Sequence, residues 1–255
     1  MAETLLRVEN VSQHFGGLIA VSEVSMEVNR GEIVGIIGPN GAGKTTLFNN
    51  ITGLCAPTYG KIYYEGRDIT GKKPHQITEL GMARTFQNIR LCGGMTALEN
   101  VMVGTHCRIK AALPDALLRT PRHRRAEREA EEKALNVLKL TNLDEYRYEL
   151  ATSLPYGYQR RLEIARAMAS DPKLLLLDEP AAGMNEQETG DLTEFIQKVR
   201  DMGYTILLIE HDMRLVMNLC DRIYVLDHGA LIANGLPAEI RKNPQVIEAY
   251  LGKEV

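Results

Sequence analysis

The residues best suited to chemistry lie in one glycine-rich stretch that reads G-x-x-x-x-G-K-[ST]. Glycines let the backbone adopt positive φ angles and approach an anion closely, so that successive N–H groups can surround a phosphate. A lysine adds positive charge for the outer phosphates, and a threonine hydroxyl is a ligand that Mg²⁺ accepts. We therefore predict a phosphate-binding loop with a Mg²⁺ ligand at Thr45. Its candidate contacts are Gly38, Pro39, Asn40, Gly41, Ala42, Gly43, Lys44, Thr45 and Thr46.

The elements on either side of this loop suit it. The apolar run 32–37 predicts a buried strand, and residues 46–51 predict the first turns of a helix. Strand, glycine loop and helix in this order place the anion at the positive end of the helix dipole. A chance match in a glycine-containing turn is the alternative, and the flanking pattern disfavours it.

Two adjacent carboxylates follow the strongly apolar run Leu174–Leu177. Four consecutive leucines predict a strand buried on both faces, as in a parallel sheet. Such sheets bind their ligands at the carboxyl ends of the strands. Asp178 is therefore a candidate Mg²⁺ ligand, acting through a water, and Glu179 is a candidate base for an attacking water. The alternative, acids that merely end a strand, is disfavoured by the glycine loop.

Four single residues carry weaker signals. His211 follows an apolar strand and could contact a γ-phosphate, although a histidine at a strand end is usually structural. Phe15, beside a Gly-Gly turn, could stack on a nucleobase or simply pack. Gln87 would not be singled out by itself. Gly157 lies at a turn that opens an amphipathic helix, a second candidate anion-facing helix start.

The segment from Arg119 to Lys133 is dense in charge of both signs. One interpretation is a basic patch for anionic lipid or nucleic acid, and the other is a solvated helix with i,i+4 ion pairs. Because arginine and glutamate are mixed along the segment, the sequence favours the solvated helix.

The composition narrows the class of protein. A chain of 255 residues with net charge −3 suits one α/β domain, or a domain with an insertion, and gives no general attraction to nucleic acid. Its four cysteines are scattered, so we expect reduced residues and neither disulfides nor a zinc site. Residues Met1–Thr4 do not open a signal-type segment, and no apolar run approaches the ~18–20 residues of a membrane span. We expect a soluble, cytosolic protein that reaches a membrane only by docking to a partner.

These motifs, in this order, resemble the ATP-binding subunit of ATP-binding-cassette (ABC) transporters over nearly the whole chain. Within that family the chain looks most like the larger ATPase of branched-chain amino acid importers, judged from residues 83–91, 95–101 and 181–185 and from the extra charged segment. Lipopolysaccharide-export ATPases are similar. By this resemblance, the Walker A loop is Gly38–Thr45, the Walker B strand is Leu174–Asp178 and the catalytic carboxylate is Glu179. The Q-loop lies at Gln87, the signature is Leu154–Gln159, the D-loop is Ala182–Asn185 and the switch histidine is His211.

The resemblance implies an α/β fold of the P-loop NTPase (RecA-like) type. Its core is a mixed sheet, with an N-terminal antiparallel β subdomain and an inserted α-helical subdomain. One ABC ATPase domain would cover residues 1–255. The catalytic core and β subdomain would occupy 1–87 and 170–255, and the helical subdomain with the signature would occupy 88–169.

The resemblance also implies a mechanism with ATP and Mg²⁺ as cofactors. Two cassettes pair head to tail, and each ATP lies between the Walker motifs of one and the signature of the other, which includes Gly157. Phe15 falls near the adenine-stacking position, and Gln87 would contact Mg²⁺ or the attacking water. Glu179 would be the catalytic base and His211 the γ-phosphate sensor.

The implied activity is hydrolysis of ATP to ADP and phosphate, with Lys44 among the catalytic residues, to power import of branched-chain amino acids. The implied partners are a second ABC ATPase, either a copy or a paralogue, and permease subunits that dock on the helical subdomain. The chain would then lie at the cytoplasmic face of the inner membrane and bind no nucleic acid. Two alternatives stay open: a soluble ABC ATPase acting on nucleic acid or ribosomes, and a regulatory nucleotide-binding subunit with little turnover.

One departure from the family pattern affects the signature. The family has Leu-Ser-Gly-Gly-Gln, whereas residues 154–159 read Leu-Pro-Tyr-Gly-Tyr-Gln. Pro155 stands where the serine hydroxyl would bind the partner's γ-phosphate, so a hydrogen bond of order 1.5–3 kcal/mol is missing. We hypothesise that nucleotide sites completed by this signature are weakened. ATP on this chain's own Walker motifs could still be hydrolysed opposite a partner with an intact signature.

Overall fold

A computed structural model of the chain describes residues 3–108 and 120–251. The strands are β1 (Thr4–Phe15), β2 (Leu18–Asn29), β3 (Ile33–Ile37), β4 (Tyr59–Tyr64), β5 (Arg67–Asp68), β6 (Met82–Arg84), β7 (Leu174–Asp178), β8 (Thr205–Ile209), β9 (Arg222–Asp227) and β10 (Ala230–Gly235). The helices of these ranges are α1 (Lys44–Ile51), α2 (Pro74–Leu80), α3 (Ala97–Thr105), α4 (Pro121–Leu140), α5 (Tyr156–Met168), α6 (Glu186–Asp201), α7 (Met213–Leu219), α8 (Pro237–Ile240) and α9 (Pro244–Leu251).

The chain divides into two compact units. We call residues Met1–Ile77 with Leu174–Val255 the sheet unit, and residues Thr78–Lys173 the helical unit. The predicted helical subdomain, 88–169, falls inside the helical unit. Its boundaries remain a prediction.

The sheet unit contains an antiparallel sheet in the order β2-β1-β4-β5. β1 and β2 pair along most of their length, and β4 pairs with the other edge of β1. The alternating burial of β2 fits a strand with one face on the core and one toward solvent. This is the predicted N-terminal antiparallel sheet.

A second, mixed sheet in the same unit carries the predicted core strands in the order β10-β9-β3-β8-β7. β3 pairs in parallel with both β8 and β9, and β7 pairs in parallel with β8. Every residue of β3, β7 and β8 is buried, which explains their continuous apolar sequences. β9 and β10 form an antiparallel hairpin that turns at His228-Gly229. The predicted mixed-sheet α/β fold is confirmed.

The helical unit is built on α3, which packs against α4 and α5. Thr96 is the N-cap of α3 and forms a capping box, since Thr96 Oγ1 accepts from the Glu99 N–H and the Glu99 carboxylate accepts from the Thr96 N–H. On α4, Arg125 and Glu129 form an i,i+4 ion pair of 2.9 Å on the exposed face. The charged segment is therefore helical from Pro121 onward, with solvated pairs of the predicted kind. Arg119 and the side chain of Arg122 lie outside what the structure describes.

The four cysteines, Cys55, Cys92, Cys107 and Cys220, are all free thiols. Burial raises the pKa of the Cys220 thiol, so this group stays neutral as a packing residue. Across residues 3–108 and 120–251, no helix combines the length and the hydropathy needed to cross a bilayer.

Candidate functional site

The glycine loop follows a backbone path that side chains would obstruct. Gly38, Gly41 and Gly43 have φ angles of 154°, 83° and 96°. A Cβ atom on Gly43 would lie 2.4 Å from the Ala20 carbonyl oxygen, whereas one on Gly41 would meet nothing within 4 Å. Gly43 is the N-cap of α1, so the first N–H groups of that helix, which have no intrahelical partner, are left for an anion. The loop geometry therefore suits phosphate, as the motif predicts.

Lys44 is the first residue of α1, and its side chain folds back over the loop. Its Nζ donates to the carbonyl oxygens of Gly38 at 2.7 Å and of Pro39 at 3.0 Å. The side chain is buried, and burial lowers the pKa of Lys44, while the negative charge of Glu179 opposes that shift. The ammonium group thus lies inside the loop and close enough to Glu179 to interact with it.

The carboxyl ends of three parallel strands meet at one edge of the mixed sheet. Asp178 is in register with Ile209, and Ile209 is in register with Ile36. The Glu179 N–H continues the ladder by donating to the Ile209 carbonyl oxygen at 3.0 Å. The glycine loop after β3, the carboxylates after β7 and the acid–histidine pair after β8 therefore lie at the same edge.

Glu179 and His211 face each other at this edge. Glu179 Oε2 lies 3.6 Å from His211 Nδ1, with 17% of the glutamate side chain and 58% of the histidine side chain exposed. Glu179 has φ 44°, in the left-handed region that is costly for a residue with a Cβ atom. Such strain persists where surrounding structure holds it, and it is frequent at functional sites. The strand end therefore aims the Glu179 carboxylate at a partly open site.

The donor set at this edge fits Mg²⁺. Asp178, at the end of β7, is 5% exposed as a whole residue, and Thr45 is an exposed residue in the first turn of α1. A cluster of three or more His, Cys, Asp or Glu residues able to hold a metal is absent from the described part of the chain. Mg²⁺ commonly takes one or two protein oxygens and completes its shell with phosphate and water, so a carboxylate and a hydroxyl suffice.

The remaining predicted residues are distributed between the two units. Phe15 ends β1 in the sheet unit and is 51% exposed, so its ring is open to solvent. Gln87 and Gly157 belong to the helical unit. Gly157 lies in the first turn of α5, where an added Cβ would meet nothing within 4 Å. The structure thus brings Lys44, Asp178, Glu179 and His211 to one edge of the sheet unit and describes Gln87 and Gly157 separately.

Glu210 is a site residue that the sequence reasoning missed. Its side chain is 1% exposed, and its carboxylate accepts from the N–H groups of Ala181 at 2.8 Å, His211 at 3.0 Å and Asp212 at 3.4 Å. Burial raises the pKa of Glu210, and these backbone donors lower it. Glu210 thereby links the chain just after Glu179 to the backbone of His211. An acid directly after an all-apolar strand, as at Asp178, was the signal that could have identified it.

A cavity of about 670 Å³ opens beside the glycine loop within the sheet unit. Helix α9 forms its far wall, and the Gly38 N–H donates a hydrogen bond to Tyr250 of that helix, which lowers the pKa of a phenol that burial raises. The loop therefore contacts the last described helix directly. The lining residues are Pro39, Asn40, Gly41, Ala42, Asp227, His228, Ile232, Gln245, Glu248 and Ala249.

Two family models match the chain. The ABC transporter model matches residues 21–182, and a model described as branched-chain amino acid ATP-binding cassette transporter matches residues 230–255. The first contains the glycine loop, the signature and the Asp178–Glu179 pair. The second begins at β10 and contains α8 and α9.

Two curated relatives are similar over their full length. The chain is 50% identical over 254 residues to the high-affinity branched-chain amino acid transport ATP-binding protein LivG of Salmonella typhimurium, covering 99% of this chain and 100% of LivG. It is 49% identical over 254 residues to BraF of Pseudomonas aeruginosa, a protein of the same description, with the same coverage.

Solved structures with this fold include a nucleotide-free cassette and dimeric cassettes. A nucleotide-free ATP-binding cassette from an ABC transporter superposes with a TM-score of 0.86 at 34% identity, covering 98% of this chain and 100% of that one. A dimeric cassette in a post-hydrolysis state, bound to ADP and Pi, superposes with a TM-score of 0.75 at 26% identity, covering 91% and 99%. Since the ABC transporter model matches residues 21–182, and the relatives and solved structures cover almost the whole chain, this protein belongs to the ABC transporter family and is one of its ATP-binding-cassette ATPases.

Proposed function

We propose that this chain hydrolyses ATP to power the import of branched-chain amino acids. Two proteins described as branched-chain amino acid transport ATP-binding proteins, LivG and BraF, are 50% and 49% identical to this chain, which supports the proposal. The family model for branched-chain amino acid ATP-binding cassette transporters, which matches residues 230–255, supports it as well. Its partners would be a second ATP-binding cassette and membrane permease subunits. It would lie at the cytoplasmic face of the inner membrane, held there by those subunits.

The observation that carries the catalytic proposal is the pairing of Glu179 with His211 beside the glycine loop. A carboxylate 3.6 Å from an imidazole, and close enough to Lys44 to oppose its lowered pKa, suits a site that handles a γ-phosphate and a water. Glu179 would be the base that orients and deprotonates the water. His211 would contact the γ-phosphate and hold Glu179 in place.

The glycine loop and its helix would bind the phosphates. On ATP binding, Lys44 would exchange the carbonyl oxygens of Gly38 and Pro39 for phosphate oxygens, since a charged phosphate is the stronger acceptor. Thr45 and Asp178 would hold Mg²⁺, with Asp178 acting through a water and with Gln87 as a further contact. When bound, Mg²⁺ neutralises charge on the β- and γ-phosphates.

The other predicted residues would bind the rest of the nucleotide. Phe15, with an exposed ring at the end of β1, would stack on adenine. Gly157, at the start of α5, would present backbone N–H groups to the nucleotide of the partner cassette. Closure of two cassettes around ATP, and reopening after hydrolysis, would be a population shift driven by contacts to the γ-phosphate.

The decisive experiment compares ATP turnover and nucleotide-dependent dimerisation of wild type, Glu179→Gln and Glu186→Gln. Loss of a general base is expected to reduce turnover by roughly 10²–10⁴-fold, with the Glu179→Gln chain trapped as an ATP-bound dimer in light scattering. Glu186 is a matched control because its carboxylate is 87% exposed. Equal turnover by Glu179→Gln and wild type would contradict the assignment of the base.

The Pro155 hypothesis needs its own variants. Pro155 is the N-cap of α5 and makes no side-chain cap. Pro155→Ser restores the hydroxyl, whereas Pro155→Ala restores only the N–H, so the difference between them isolates the hydroxyl. We expect Pro155→Ser to increase nucleotide-driven dimerisation more than Pro155→Ala. A serine variant indistinguishable from wild type in both dimerisation and ATPase rate would refute the hypothesis.

The substrate assignment is tested with the assembled transporter, isolated through a tag on this chain and reconstituted in vesicles. ATP-dependent uptake of labelled leucine, isoleucine or valine, abolished by Glu179→Gln, is the expected result. A complex that moves lipopolysaccharide, or moves none of these amino acids, would reject import of branched-chain amino acids while leaving the ATPase activity intact.

A further inference from the structure

A fully buried ion pair lies in the first turns of α5. Arg160 and Glu163 are one turn apart, and their side chains are 0% and 1% exposed. Arg160 Nη1 donates to Glu163 Oε2 at 2.8 Å. Charged side chains are seldom fully buried, and they are so only when paired. This pair therefore needs an explanation beyond the amphipathic pattern of the helix.

The same two side chains also hold the backbone of the segment that contains Gln87. Arg160 donates to the carbonyl oxygen of Phe86 at 2.8 Å and to that of Gln87 at 2.7 Å. Glu163 Oε1 accepts from the Arg90 N–H at 3.2 Å. All of these residues belong to the helical unit. One helix thus fixes the main chain at three positions.

The segment that is held has no regular structure of its own. Residues 85–95 form neither helix nor strand. Its far end is fixed by the buried Asn100, whose side chain bonds both the N–H of Cys92, at 2.8 Å, and the Cys92 carbonyl oxygen, at 3.1 Å. Side chains of neighbouring helices therefore replace the hydrogen-bond ladder that this segment lacks.

Stability alone is a poor reason for the buried pair. Removing two charges from water offsets much of their attraction, and apolar residues of similar volume often serve as well. Arg160 Nε is also buried without a hydrogen-bond partner, which is a further penalty. An apolar pair has no donor for the two successive carbonyl oxygens, whereas the rigid fork of the guanidinium reaches both of them and the Glu163 carboxylate at once.

We propose that Arg160 and Glu163 are positioning residues that tie the signature end of α5 to the backbone of Gln87. The proposal rests on the functions proposed above for Gln87, which faces the nucleotide of its own chain, and for Gly157, which faces that of the partner. With the clamp in place, a displacement of α5 moves Gln87, and a displacement of Gln87 moves α5. The two nucleotide sites of a cassette pair are thereby coupled, and this coupling is reciprocal.

The test is steady-state ATP turnover by the assembled transporter carrying the double variant Arg160→Met/Glu163→Leu. The apolar residues remove the buried charges but leave the carbonyl oxygens of Phe86 and Gln87 and the Arg90 N–H without these bonds. The chain is therefore expected to fold, with a thermal midpoint somewhat below that of wild type. We expect kcat to fall at least tenfold while KM for ATP stays within about twofold, because phosphate binding lies elsewhere. Arg125→Met/Glu129→Leu, which removes the exposed pair of α4, is the matched control and should match wild type.

Two further variants keep the outcome decisive. Arg160→Lys keeps the charge beside Glu163 but replaces the two guanidinium nitrogens that bond Phe86, Gln87 and Glu163 with a single ammonium nitrogen on a shorter side chain. Its kcat should therefore also fall at constant KM, and this variant is measured if the double variant does not fold. Gln87→Ala separates the hypotheses. If it lowers kcat while the folded clamp variants retain wild-type kcat and KM, the clamp is refuted and the function of Gln87 stands. If Gln87→Ala retains wild-type turnover, the proposed function of Gln87 fails and the clamp proposal fails with it.

Discussion

Two buried carboxylates hold candidate functional segments in the two units, and they do so by different means. Glu210, in the sheet unit, is 1% exposed and is satisfied by backbone N–H groups on either side of the candidate site. Glu163, in the helical unit, is also 1% exposed and is satisfied by the cation of Arg160. Glu210 bonds neutral donors whose own backbone is already fixed by β7 and β8. Glu163 and Arg160 act where no strand or helix fixes the chain.

This difference separates two ways of placing a functional group. Where parallel strands end, the ladder determines the position of the backbone, and side chains only refine it. Where the chain runs without a ladder, buried side chains must supply the missing hydrogen bonds. The sheet unit should therefore be most sensitive to changes in backbone conformation, and the helical unit to removal of one charged partner. Five predictions test that contrast.

The largest effect is expected from Gly43→Ala in the sheet unit. Its φ of 96° and a Cβ placed 2.4 Å from the Ala20 carbonyl oxygen combine strain with a clash. We expect the free energy of unfolding to fall by about 2–6 kcal/mol, from about 1–3 for strain and about 1–3 for overpacking. Gly41→Ala, with φ 83° and open space, should lose only the strain. Urea denaturation measures both, and equal losses would show that the clash is relieved.

In the helical unit, Arg160→Met alone should destabilise strongly. It leaves the Glu163 charge buried without its cation, which costs about 3–5 kcal/mol. Adding Glu163→Leu should recover part of that loss, because it removes the unpaired charge but does not restore the bonds to the backbone of Phe86, Gln87 and Arg90. Arg125→Met, which breaks an exposed pair, should change the thermal midpoint little. If the single and double variants at 160 and 163 were equally unstable, the apolar pair would not fit, and the buried charge would not be the cause.

The contrast also explains how much the sequence could predict. The glycine loop, Asp178 and Glu179 are local signals next to apolar runs, and a parallel sheet brings strand ends to one edge whatever the loops do. The strand-end positions of these residues were therefore predicted from local sequence patterns, whereas the mixed sheet was implied by the family resemblance. His211 was a candidate for contact with the γ-phosphate for the same reason, because it also follows a buried strand.

The clamp in the helical unit could not be predicted. Arg160 contacts carbonyl oxygens 73 and 74 residues away in sequence, and nothing in the segment around Gln87 signals which helix holds it. An Arg–Glu pair one turn apart usually indicates a solvated helix face, which is how the similar pair Arg125–Glu129 behaves. Burial, which only tertiary structure determines, distinguishes the two pairs.

A smaller effect is expected from Glu210→Gln. The amide retains one acceptor but turns an NH₂ group toward N–H donors of Ala181 or His211, and an unsatisfied buried donor costs about 1–3 kcal/mol. Thr205→Val is a matched control, since Thr205 Oγ1 accepts from the Gly31 N–H at 2.9 Å at the opposite end of β8. Both variants should lower the thermal midpoint, but only Glu210→Gln should lower ATP turnover. If Glu210→Gln and Thr205→Val hydrolyse ATP at the same rate, Glu210 contributes to folding and not to catalysis.

Gly157→Ala should affect stability in the opposite direction to Gly43→Ala. The added Cβ meets nothing within 4 Å and lies in the first turn of α5, where alanine favours the helix over glycine by up to about 1 kcal/mol. The thermal midpoint should rise slightly while ATP turnover of the assembled transporter falls, because the methyl group would meet the partner's nucleotide. If the Gly157→Ala chain is both more stable and fully active, the proposed contact of Gly157 with the partner's nucleotide is wrong.

The smallest effect is a pH dependence that separates the two carboxylates. Burial raises the pKa of Glu210 above its ordinary value of 4.5 in the folded chain, against the lowering effect of its backbone donors and of a charged His211. The folded chain then binds more protons than the unfolded chain between the two pKa values, so stability falls as pH rises through that window. The Glu210→Gln variant has no carboxyl group at this position, so it does not show this fall in stability with rising pH.

The thermal midpoint of wild type, measured without nucleotide from pH 4.5 upward, should therefore decrease relative to that of Glu210→Gln and then run parallel to it. All other acidic and basic groups are common to both chains, so their contributions to the pH dependence cancel to first order when the two thermal midpoints are subtracted. A gap that instead widens in favour of wild type would mean that the N–H groups of Ala181, His211 and Asp212 stabilise the carboxylate more than burial penalises it. In that case the two buried carboxylates would be equivalent, because neutral donors would serve Glu210 as well as the Arg160 cation serves Glu163.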